Sequence, residues 1–411
     1  MPKLTEGISM KLCIVSNYIN HHQIPMANEL YKILGDDFTF IQTSPMEEDR
    51  VKMGWGNEVN EIPYLKIYYE QPNECADIIL NYDIVVFGGV EDESYIKPRL
   101  DAKKTVIRAS ERLYREGQWK AVSPRGLKKK YEDHTRYRKD SVYLLCHGAY
   151  VASDFNIVRA YPQKKFVWGY FPQVYEYDID ELFHQKNQEN DNGKHNIRLL
   201  WAGRFMQLKH PEYAIEAAMM LYKNNISFHL DMVGGGDMEN ELKSLTNKYG
   251  IEKYVQFHGF KNPTEVREFM EKADIFMFTS NYLEGWGAVV NEAMNSACAV
   301  VAGHGAGAVP FLIKHGYNGM VYKNEDINEF KDYVMCLANN SKLRKKLGIN
   351  AYNTIIKEWN PKEAADRLYH FCEGLMRGEV NPQKEGPLSM APDISPKKGY
   401  KYSHLHSKQI L

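Results

Sequence analysis

The apolar residues in the first part of the chain form short runs that alternate with helical patterns. The run Lys11–Tyr18 is apolar and ends in polar turn residues, which is typical of a buried strand. In the segment that follows, Ile24, Ala27, Leu30 and Leu34 recur at helical spacing. Because strands separated by helices form parallel sheets, this region predicts a sheet with ligands near its carboxyl edge. Further strand-like runs are FTFIQTS, YDIVVFGG, KTVIRAS, YLLCHG and FVWGYFP.

A second series of strands and helices begins after residue 196. Residues 177–196 are polar and rich in Asn, Gln and Asp, which indicates an interdomain linker. The sequence therefore predicts an α/β protein with two doubly wound, Rossmann-like domains that face each other across a cleft. We expect these domains at 1–176 and 197–360, with a terminal helix at 361–378. The remaining residues, 379–411, are rich in Pro, Lys, Ser and Gly and predict a tail without a core of its own.

Composition and charge narrow the class of protein. A hydrophobic fraction of 44% and a charged fraction of 26% are ordinary for a globular protein, and 411 residues exceed a single core. The formal net charge of −1 argues against wholesale binding of nucleic acid. The six cysteines are scattered without a CxxC pair, which indicates reduced thiols rather than disulfides or a zinc site. No apolar run is long enough for a signal peptide or a membrane span, so we expect a cytoplasmic protein.

The first strand of the second half ends in a motif that suits phosphate. In WAGRFMQLKH, Gly203 allows close approach to the backbone, and Arg204 and Lys209 supply cationic donors. Such residues also occur in ordinary surface loops, and this motif alone does not separate the two interpretations.

A second motif in the same half carries two carboxylates around a tight turn. Glu284 precedes Gly285 and Gly287, which flank Trp286, and Glu292 lies within the helix that follows. The backbone N–H groups at the start of a helix favour an anion, and carboxylates accept hydrogen bonds from sugar hydroxyls. The alternative is a capping Glu284 and a solvated Glu292. The shared location with the WAGRF motif favours a ligand site.

Two other patterns have simpler explanations. Asp178 and Asp180 form a DxD motif of the kind that can hold Mn²⁺, but helix capping within the polar segment is favoured. Residues 124–140 are basic with interspersed aromatics. A solvated loop is the favoured interpretation, and contact with anionic lipid headgroups is the functional alternative.

Taken as a set, the motifs of the second half resemble those of family 4-like retaining glycosyltransferases of the GT-B fold. The resemblance extends from about Asn196 to Phe371, and the first half matches only in layout. It rests on Arg204 and Lys209, on Glu284-Gly-Trp-Gly with Glu292-Ala-Met, on VGGG and VQFHGF, on Ala273–Asp274 before IFMFTS, and on HGYNGMVY.

The resemblance implies a nucleoside diphosphate sugar as donor and a role for each matched residue. Arg204 and Lys209 would bind the diphosphate and stabilise its negative charge without a metal ion or cofactor. Glu292 would bind the ribose hydroxyls. The transferred sugar would be held by Glu284 and the backbone of Gly285, Trp286 and Gly287, and the nucleobase would lie near Phe260 and Lys261. Gly203 would let the donor approach the backbone at the strand end.

The chain departs from the family pattern at three places. Ala308 and Phe311 occupy positions where the family often has Gly and Glu, which leaves the identity of the donor sugar open. Asn20, His21 and His22 occupy the first loop, where the family commonly has two glycines, although His22 fits a histidine of the family in spacing. Glu111 lies in a region that often holds a histidine. His147 could also face the cleft, although a structural histidine is favoured, and no catalytic base is assigned.

The expected function is transfer of a sugar from a nucleoside diphosphate donor to a saccharide or lipid-linked saccharide, with retention of configuration, in glycan biosynthesis. The protein would be cytoplasmic, with possible attachment to the inner face of a membrane. A nucleotide-sugar epimerase and a non-catalytic nucleotide-sugar-binding protein remain alternatives. A Rossmann oxidoreductase is disfavoured because the first strand lacks a dinucleotide fingerprint.

Overall fold

The structure is a computed structural model that describes residues 9–47, 62–90, 92–186 and 196–405. The chain divides into two compact units. The N-terminal unit comprises the described residues up to His147, together with Val151–Pro172 and Pro361–Asp393. The C-terminal unit comprises Gly148–Tyr150, Gln173–Asn360 and the residues from Ile394 onward.

Each unit is built on one parallel sheet. In the part of the chain that the structure describes, the N-terminal sheet has seven strands in the order β3-β2-β1-β4-β5-β6-β7, and the C-terminal sheet has six in the order β10-β9-β8-β11-β12-β13. The strands are β1 (Leu12–Ser16), β2 (Phe38–Gln42), β3 (Leu65–Ile67), β4 (Ile84–Gly88), β5 (Val106–Ser110), β6 (Val142–His147), β7 (Lys165–Trp168), β8 (Ile197–Ala202), β9 (Phe228–Val233), β10 (Val255–Phe257), β11 (Ile275–Phe278), β12 (Ala299–Gly303) and β13 (Met320–Tyr322).

Helices cover these sheets. Those of the described residues are α1 (Ile24–Leu34), α2 (Pro72–Asn81), α3 (Lys97–Asp101), α4 (Pro124–Asp133), α5 (Val151–Ile157), α6 (Ile179–Lys186), α7 (Glu212–Lys223), α8 (Glu239–Tyr249), α9 (Pro263–Lys272), α10 (Val289–Asn295), α11 (Val309–Leu312), α12 (Ile327–Asn339), α13 (Ser341–Lys357), α14 (Pro361–Met376) and α15 (Pro396–Ser403). None of these helices has the length and apolar character needed to span a bilayer.

The sequence pattern of apolar runs corresponds to strands buried on both faces. All five residues of β1, β2 and β12 are buried, because helices lie on both sides of a doubly wound sheet. In both sheets the strand order reverses next to the first strand of the unit, and such a reversal places ligand sites at the carboxyl edge. The prediction of two Rossmann-like units is confirmed.

The segment expected to be a linker contains a packed helix. Leu182 and Phe183 of α6 pack against Ala297 and Tyr352. Asp178 accepts the backbone N–H groups of Asp180 and Glu181 at 3.0 and 3.1 Å, so this member of the DxD motif caps the helix. The rest of the expected linker, 187–195, lies outside the described residues.

The expected tail also differs from the structure. Ile394 is 3% exposed and packs with Tyr150 and Tyr402, so residues after 393 share the core of the C-terminal unit. The terminal helix α14 belongs instead to the N-terminal unit, where it packs against α1. The composition predicted a tail without a core because its few apolar residues are widely spaced. Several of these residues nevertheless pack against residues that are distant in sequence.

The basic segment expected to be a loop forms helix α4. Ser123 accepts the backbone N–H of Gly126, and Pro124 occupies the first turn, so the sequence carries a helix start that its charge obscured. No residue of α4 is buried.

Candidate active site

The carboxyl ends of β8 and β9 approach each other so closely that only glycine fits. The Gly203 N–H donates to the Val233 carbonyl at 3.0 Å. A Cβ atom on Gly234, whose φ is +132°, would lie 1.8 Å from the Gly203 carbonyl oxygen. A Cβ on Gly236 would lie 2.6 Å from the Phe205 carbonyl oxygen. The glycines of the VGGG motif therefore hold the loop around Gly203 and Arg204 in place.

Lys209 and Glu284, which are remote in sequence, form an ion pair at the ends of β8 and β11. The Lys209 Nζ atom lies 2.5 Å from Glu284 Oε2, and each side chain is 17% exposed. The Ser280 hydroxyl donates to the same carboxylate oxygen at 3.2 Å. Thr279 further joins the two loops by donating to the Lys209 carbonyl at 2.5 Å, and Trp201 donates to Thr279 at 2.8 Å. The two sequence motifs therefore form one site.

The charges around this pair favour an ionised carboxylate. Burial by itself would raise the pKa of Glu284, but the Lys209 ammonium, the Ser280 hydroxyl and the Arg204 guanidinium together lower that pKa below its usual value. Arg204 is exposed, and among the described residues its guanidinium forms no ion pair. The site therefore presents an uncompensated positive charge to solvent.

The turn between Glu284 and α10 is buried. A Cβ on Gly287, whose φ is +94°, would lie 2.5 Å from the Phe278 ring. The Trp286 side chain is 1% exposed and donates to Asn291 at 2.9 Å, while its carbonyl accepts the Ala308 N–H at 3.1 Å. The Trp286 indole therefore belongs to the core, and the predicted contact of its backbone with the transferred sugar stays a prediction. Helix α10 has seven residues, which makes its dipole a minor attraction for an anion.

Glu292 is half-buried on α10, and its carboxylate has no hydrogen-bond partner within the part of the chain described. Burial raises the pKa of this carboxyl, and the Arg267 guanidinium partly offsets the increase. Arg267 donates to the Glu292 carbonyl at 2.9 Å, to Asn295 at 3.1 Å and to the Gln173 carbonyl at 3.0 Å. It thereby fixes the helix while leaving the Glu292 carboxylate available to a ligand.

Phe260 and Lys261 follow β10 at the same edge of the sheet. The Phe260 ring is 54% exposed, and a Cβ on Gly235 would lie 2.9 Å from it. Lys261 pairs with Glu265 at 3.0 Å at the start of α9. An exposed ring above a glycine loop provides a surface on which a planar group can stack.

The altered loop after β12 is part of an apolar cluster. Phe311, at the position of the family's glutamate, packs with Tyr150 and Ile394 and is stacked on Trp359 with a centroid distance of 6.4 Å. Ala308 is buried. These positions offer no carboxylate to a ligand, in agreement with the departure seen in the sequence.

A tyrosine that the sequence did not single out supports the same loops. The Tyr282 hydroxyl lies 2.7 Å from His304 Nε2 and donates to the Pro396 carbonyl at 3.4 Å. The Tyr150 hydroxyl donates to the His304 carbonyl. Tyr282 lies two residues before Glu284, so these contacts tie the residues around α15 to the site. Ser280, Thr279 and Arg267 were also missed, and only the adjacency of the first two to the β11 end could have indicated them.

In the N-terminal unit, three of the candidate residues gather around Tyr170. The Tyr170 hydroxyl donates to Glu111 at 3.2 Å, and its ring lies 5.0 Å from the His147 ring and 6.2 Å from the His22 ring, measured between centroids. Burial lowers the pKa of His147 to about 4, so its imidazole is neutral at pH 7.

The remaining two candidates lie at the start of α1. The Asn20 carbonyl accepts the N–H of Ile24 at 3.0 Å, and its side chain accepts the N–H of His22 at 3.0 Å. The rings of His21 and His22 are 3.9 Å apart. Asn20 therefore shapes the entry to the helix.

Part of the chain is similar to a known protein family. Residues 182–354 match the family described as Glycosyl transferases group 1. An uncharacterized glycosyltransferase of Methanocaldococcus jannaschii is 28% identical over 160 residues, which cover 39% of this chain and 43% of that protein. The amylovoran biosynthesis glycosyltransferase AmsK of Erwinia amylovora is 28% identical over 212 residues, which cover 50% and 49%. The matched region thus spans less than half the length of each relative.

A solved structure extends the similarity to both units. The crystal structure of HepE from Anabaena in complex with UDP and glucose superposes with a TM-score of 0.62 at 15% sequence identity, covering 88% of this chain and 98% of that one. At this identity the likeness establishes the fold, which is GT-B. The chain therefore has the GT-B fold, and its residues 182–354 are similar to the glycosyl transferases of group 1.

Proposed function

We propose that the protein is a glycosyltransferase that moves a sugar from a nucleoside diphosphate sugar to a saccharide or lipid-linked saccharide in glycan biosynthesis. The observation that carries this proposal is the exposed Arg204 beside the Lys209–Glu284 pair at the joined ends of β8 and β11. Such a site suits a diphosphate, because the two cations sit where a doubly wound sheet binds its ligand. The UDP and glucose bound to the related Anabaena protein support a donor of this class.

Each residue then has a chemical task. Departure of the nucleoside diphosphate builds negative charge on its oxygens, and Arg204 and Lys209 stabilise that charge. Glu284 orients Lys209 through Oε2, which leaves Oε1 for a hydroxyl of the transferred sugar. The Glu292 carboxylate, which has no hydrogen-bond partner among the described residues, accepts from the ribose, and Phe260 stacks with the nucleobase. Retention of configuration and independence from metal ions follow from the resemblance to family 4-like enzymes.

The acceptor belongs to the N-terminal unit in this proposal. The group around Tyr170, with His22, Glu111 and His147, offers hydroxyl, imidazole and carboxylate contacts to a saccharide. Asn20 and His21 follow β1 in the same unit. We assign no catalytic base among them.

A thermal-shift panel of nucleoside diphosphates and nucleotide sugars tests the donor site. A ligand at 100 times its dissociation constant stabilises the fold by about 2.7 kcal/mol. We expect one nucleotide series to raise the melting temperature, and Arg204→Ala and Glu292→Ala to remove the increase. Arg198→Ala is the matched control, because Arg198 is exposed on β8 away from its carboxyl end. No shift with any nucleotide in a folded sample would contradict the proposal.

The alternatives give different results in the same sample. An epimerase would convert the bound nucleotide sugar without an acceptor, and a binding protein would show the thermal shift without any turnover. Chromatography of the nucleotide sugars after incubation with and without saccharide acceptors separates these outcomes from transfer.

We also propose that the surface around α4 attaches the protein to an anionic membrane. Trp119 and Val122 are 70% and 78% exposed just before α4, and Tyr131 on α4 is 58% exposed. Lys128 and Lys129 lie on the same exposed helix, so apolar anchors and cations occur together. In this proposal, the surface around α4 contacts a bilayer that contains an anionic lipid such as phosphatidylserine.

Co-sedimentation with vesicles tests this surface. Binding to vesicles of phosphatidylcholine with phosphatidylserine should exceed binding to phosphatidylcholine alone and should fall with added salt. Trp119→Ser with Val122→Ser should release the protein, whereas Val380→Ser, at a residue 40% exposed elsewhere, should not. If the Trp119→Ser, Val122→Ser variant binds the phosphatidylserine vesicles as well as Val380→Ser does, the surface around α4 does not attach the protein to membranes.

A further inference from the structure

A cavity lies inside the N-terminal unit, between its sheet and two of its helices. About 50 Å³ of it can hold the centre of a water-sized sphere, and the cavity opens to solvent at its mouth. Its walls come from one face of the sheet, with Ile14, Phe40, Val86 and Leu145, and its roof comes from Met26 of α1 and Leu368 of α14. These walls are apolar and offer no group that could satisfy a buried hydroxyl.

The polar lining residues lie together at the carboxyl edge of the sheet. They are His22 and Gln23 at the start of α1, His147 at the end of β6, and Tyr170 after β7. The cavity is therefore amphipathic, with a polar mouth at the strand ends and an apolar interior beneath it. Ligands of doubly wound sheets bind at this edge.

One polar atom at this mouth lacks a partner. Within the described chain, His147 Nε2 is buried and forms no hydrogen bond. A buried polar group without a hydrogen-bond partner destabilises the protein, and a ligand oxygen that pairs with it would remove this cost. The imidazole is neutral because burial lowers its pKa to about 4, so either tautomer can serve such a group.

We propose that this cavity binds an aliphatic chain attached to the saccharide acceptor, with the linking oxygen at His147 and the sugar outside the mouth. The inference rests on the glycosyltransferase function proposed above and narrows its acceptor to an amphiphile. A free saccharide does not fit the interior, because its hydroxyls would lose their hydration without gaining hydrogen bonds. An alkyl chain gives up no hydrogen bonds there and gains the hydrophobic free energy of burial.

Calorimetric titration of paired methyl and hexyl glycosides tests the chain separately from the sugar. Each buried methylene should tighten binding about fourfold, so burial of only two of the five extra methylenes should already make the hexyl compound bind more than about tenfold more tightly than the methyl compound, whichever sugar is used. Met26→Trp fills the cavity and should abolish this ratio. Ile33→Trp, at a residue 39% exposed on the same helix, should preserve it. His147→Ala should weaken both compounds by a similar factor.

The outcomes separate this inference from the function on which it rests. Equal affinities for methyl and hexyl glycosides in the folded wild type would overturn it, as would a ratio that survives in Met26→Trp. The nucleotide thermal shift involves only the C-terminal unit, so a retained shift with a failed chain-length ratio would leave the proposed transferase intact. If the hexyl glycoside binds more tightly than the methyl glycoside but no nucleotide raises the melting temperature, the cavity binds alkyl chains and the assignment of its ligand as a glycosyl acceptor is overturned.

Discussion

Replacing Lys209 by methionine should destabilise the protein in a manner that depends on pH. The substitution leaves Glu284 mostly buried, with the Ser280 hydroxyl and the Arg204 charge as its remaining support. Removing one partner of a buried pair costs about 3–5 kcal/mol, and a charged hydrogen bond contributes about 1.5–3 kcal/mol. Because both side chains are 17% exposed and support remains, we expect about 2 kcal/mol at pH 7.

The sign of the pH effect follows from the two pKa values of Glu284. In the wild type that pKa is lowered, so the pair contributes stability above the unfolded value of 4.5, and this contribution is lost as the pH falls through the folded pKa. In Lys209→Met, burial is no longer opposed by Lys209 and raises the pKa of Glu284. The variant then relieves its buried charge by protonation, and its deficit relative to the wild type shrinks in acid.

Scanning calorimetry at pH 7 and pH 4 provides the measurement. A loss of about 2 kcal/mol in a unit of this size lowers the melting temperature by roughly 4–8 °C. Lys209→Met with Glu284→Gln should recover most of the loss at pH 7. Lys261→Met, which removes an exposed pair, should cost less than about 1 kcal/mol. Two results together would refute this reasoning: Lys209→Met loses the same stability at both pH values, and the effects of Lys209→Met and Glu284→Gln add up in the double variant. Packing, and not the charge pair, would then stabilise this site.

Three further substitutions test individual features. Glu292→Gln should leave the melting temperature at pH 7 unchanged or higher, since burial raises the pKa of this carboxyl, while calorimetric titration should show about 10- to 150-fold weaker nucleotide-sugar binding. Gly234→Ala should cost more than about 3 kcal/mol in denaturant unfolding, whereas Gly250→Ala, with a φ of +67° and open space, should cost only about 1–2 kcal/mol. Burial lowers the pKa of His315 to about 4, so the unfolded state binds its proton first and stability should fall from pH 6.5 towards 4. His315→Gln should flatten that decline in a series of melting temperatures.

The alternation of strands and helices could be predicted because parallel strands buried on both faces are short apolar runs. Arg204, Lys209 and Glu284 were found because each follows a strand end in the printed sequence. Their pairing depends on β8 lying beside β11, which only the folded sheet specifies. Tyr170 and Ser280 gave no signal, since a lone tyrosine or serine after a strand is common.

Burial was the least predictable property. Trp286 lies between two glycines in a loop, a pattern that does not indicate burial, but Asn291 and the neighbouring Trp359 enclose its side chain. The burial of Ile394 was equally unpredictable. It packs against Tyr150, which is distant in sequence, and local sequence patterns do not indicate such a contact.

The distribution of each unit over separate stretches of chain has a consequence for synthesis. Helix α14 covers α1 of the N-terminal unit, yet Gln173–Asn360 must be made before α14 exists. At about 5–20 residues per second, that interval is on the order of ten to forty seconds. During it, Met26 and the sheet face below lack their cover from Leu368, so the nascent chain exposes an apolar surface. We therefore expect the N-terminal unit to complete its core only after α14 has been made, well after its own strands have left the ribosome.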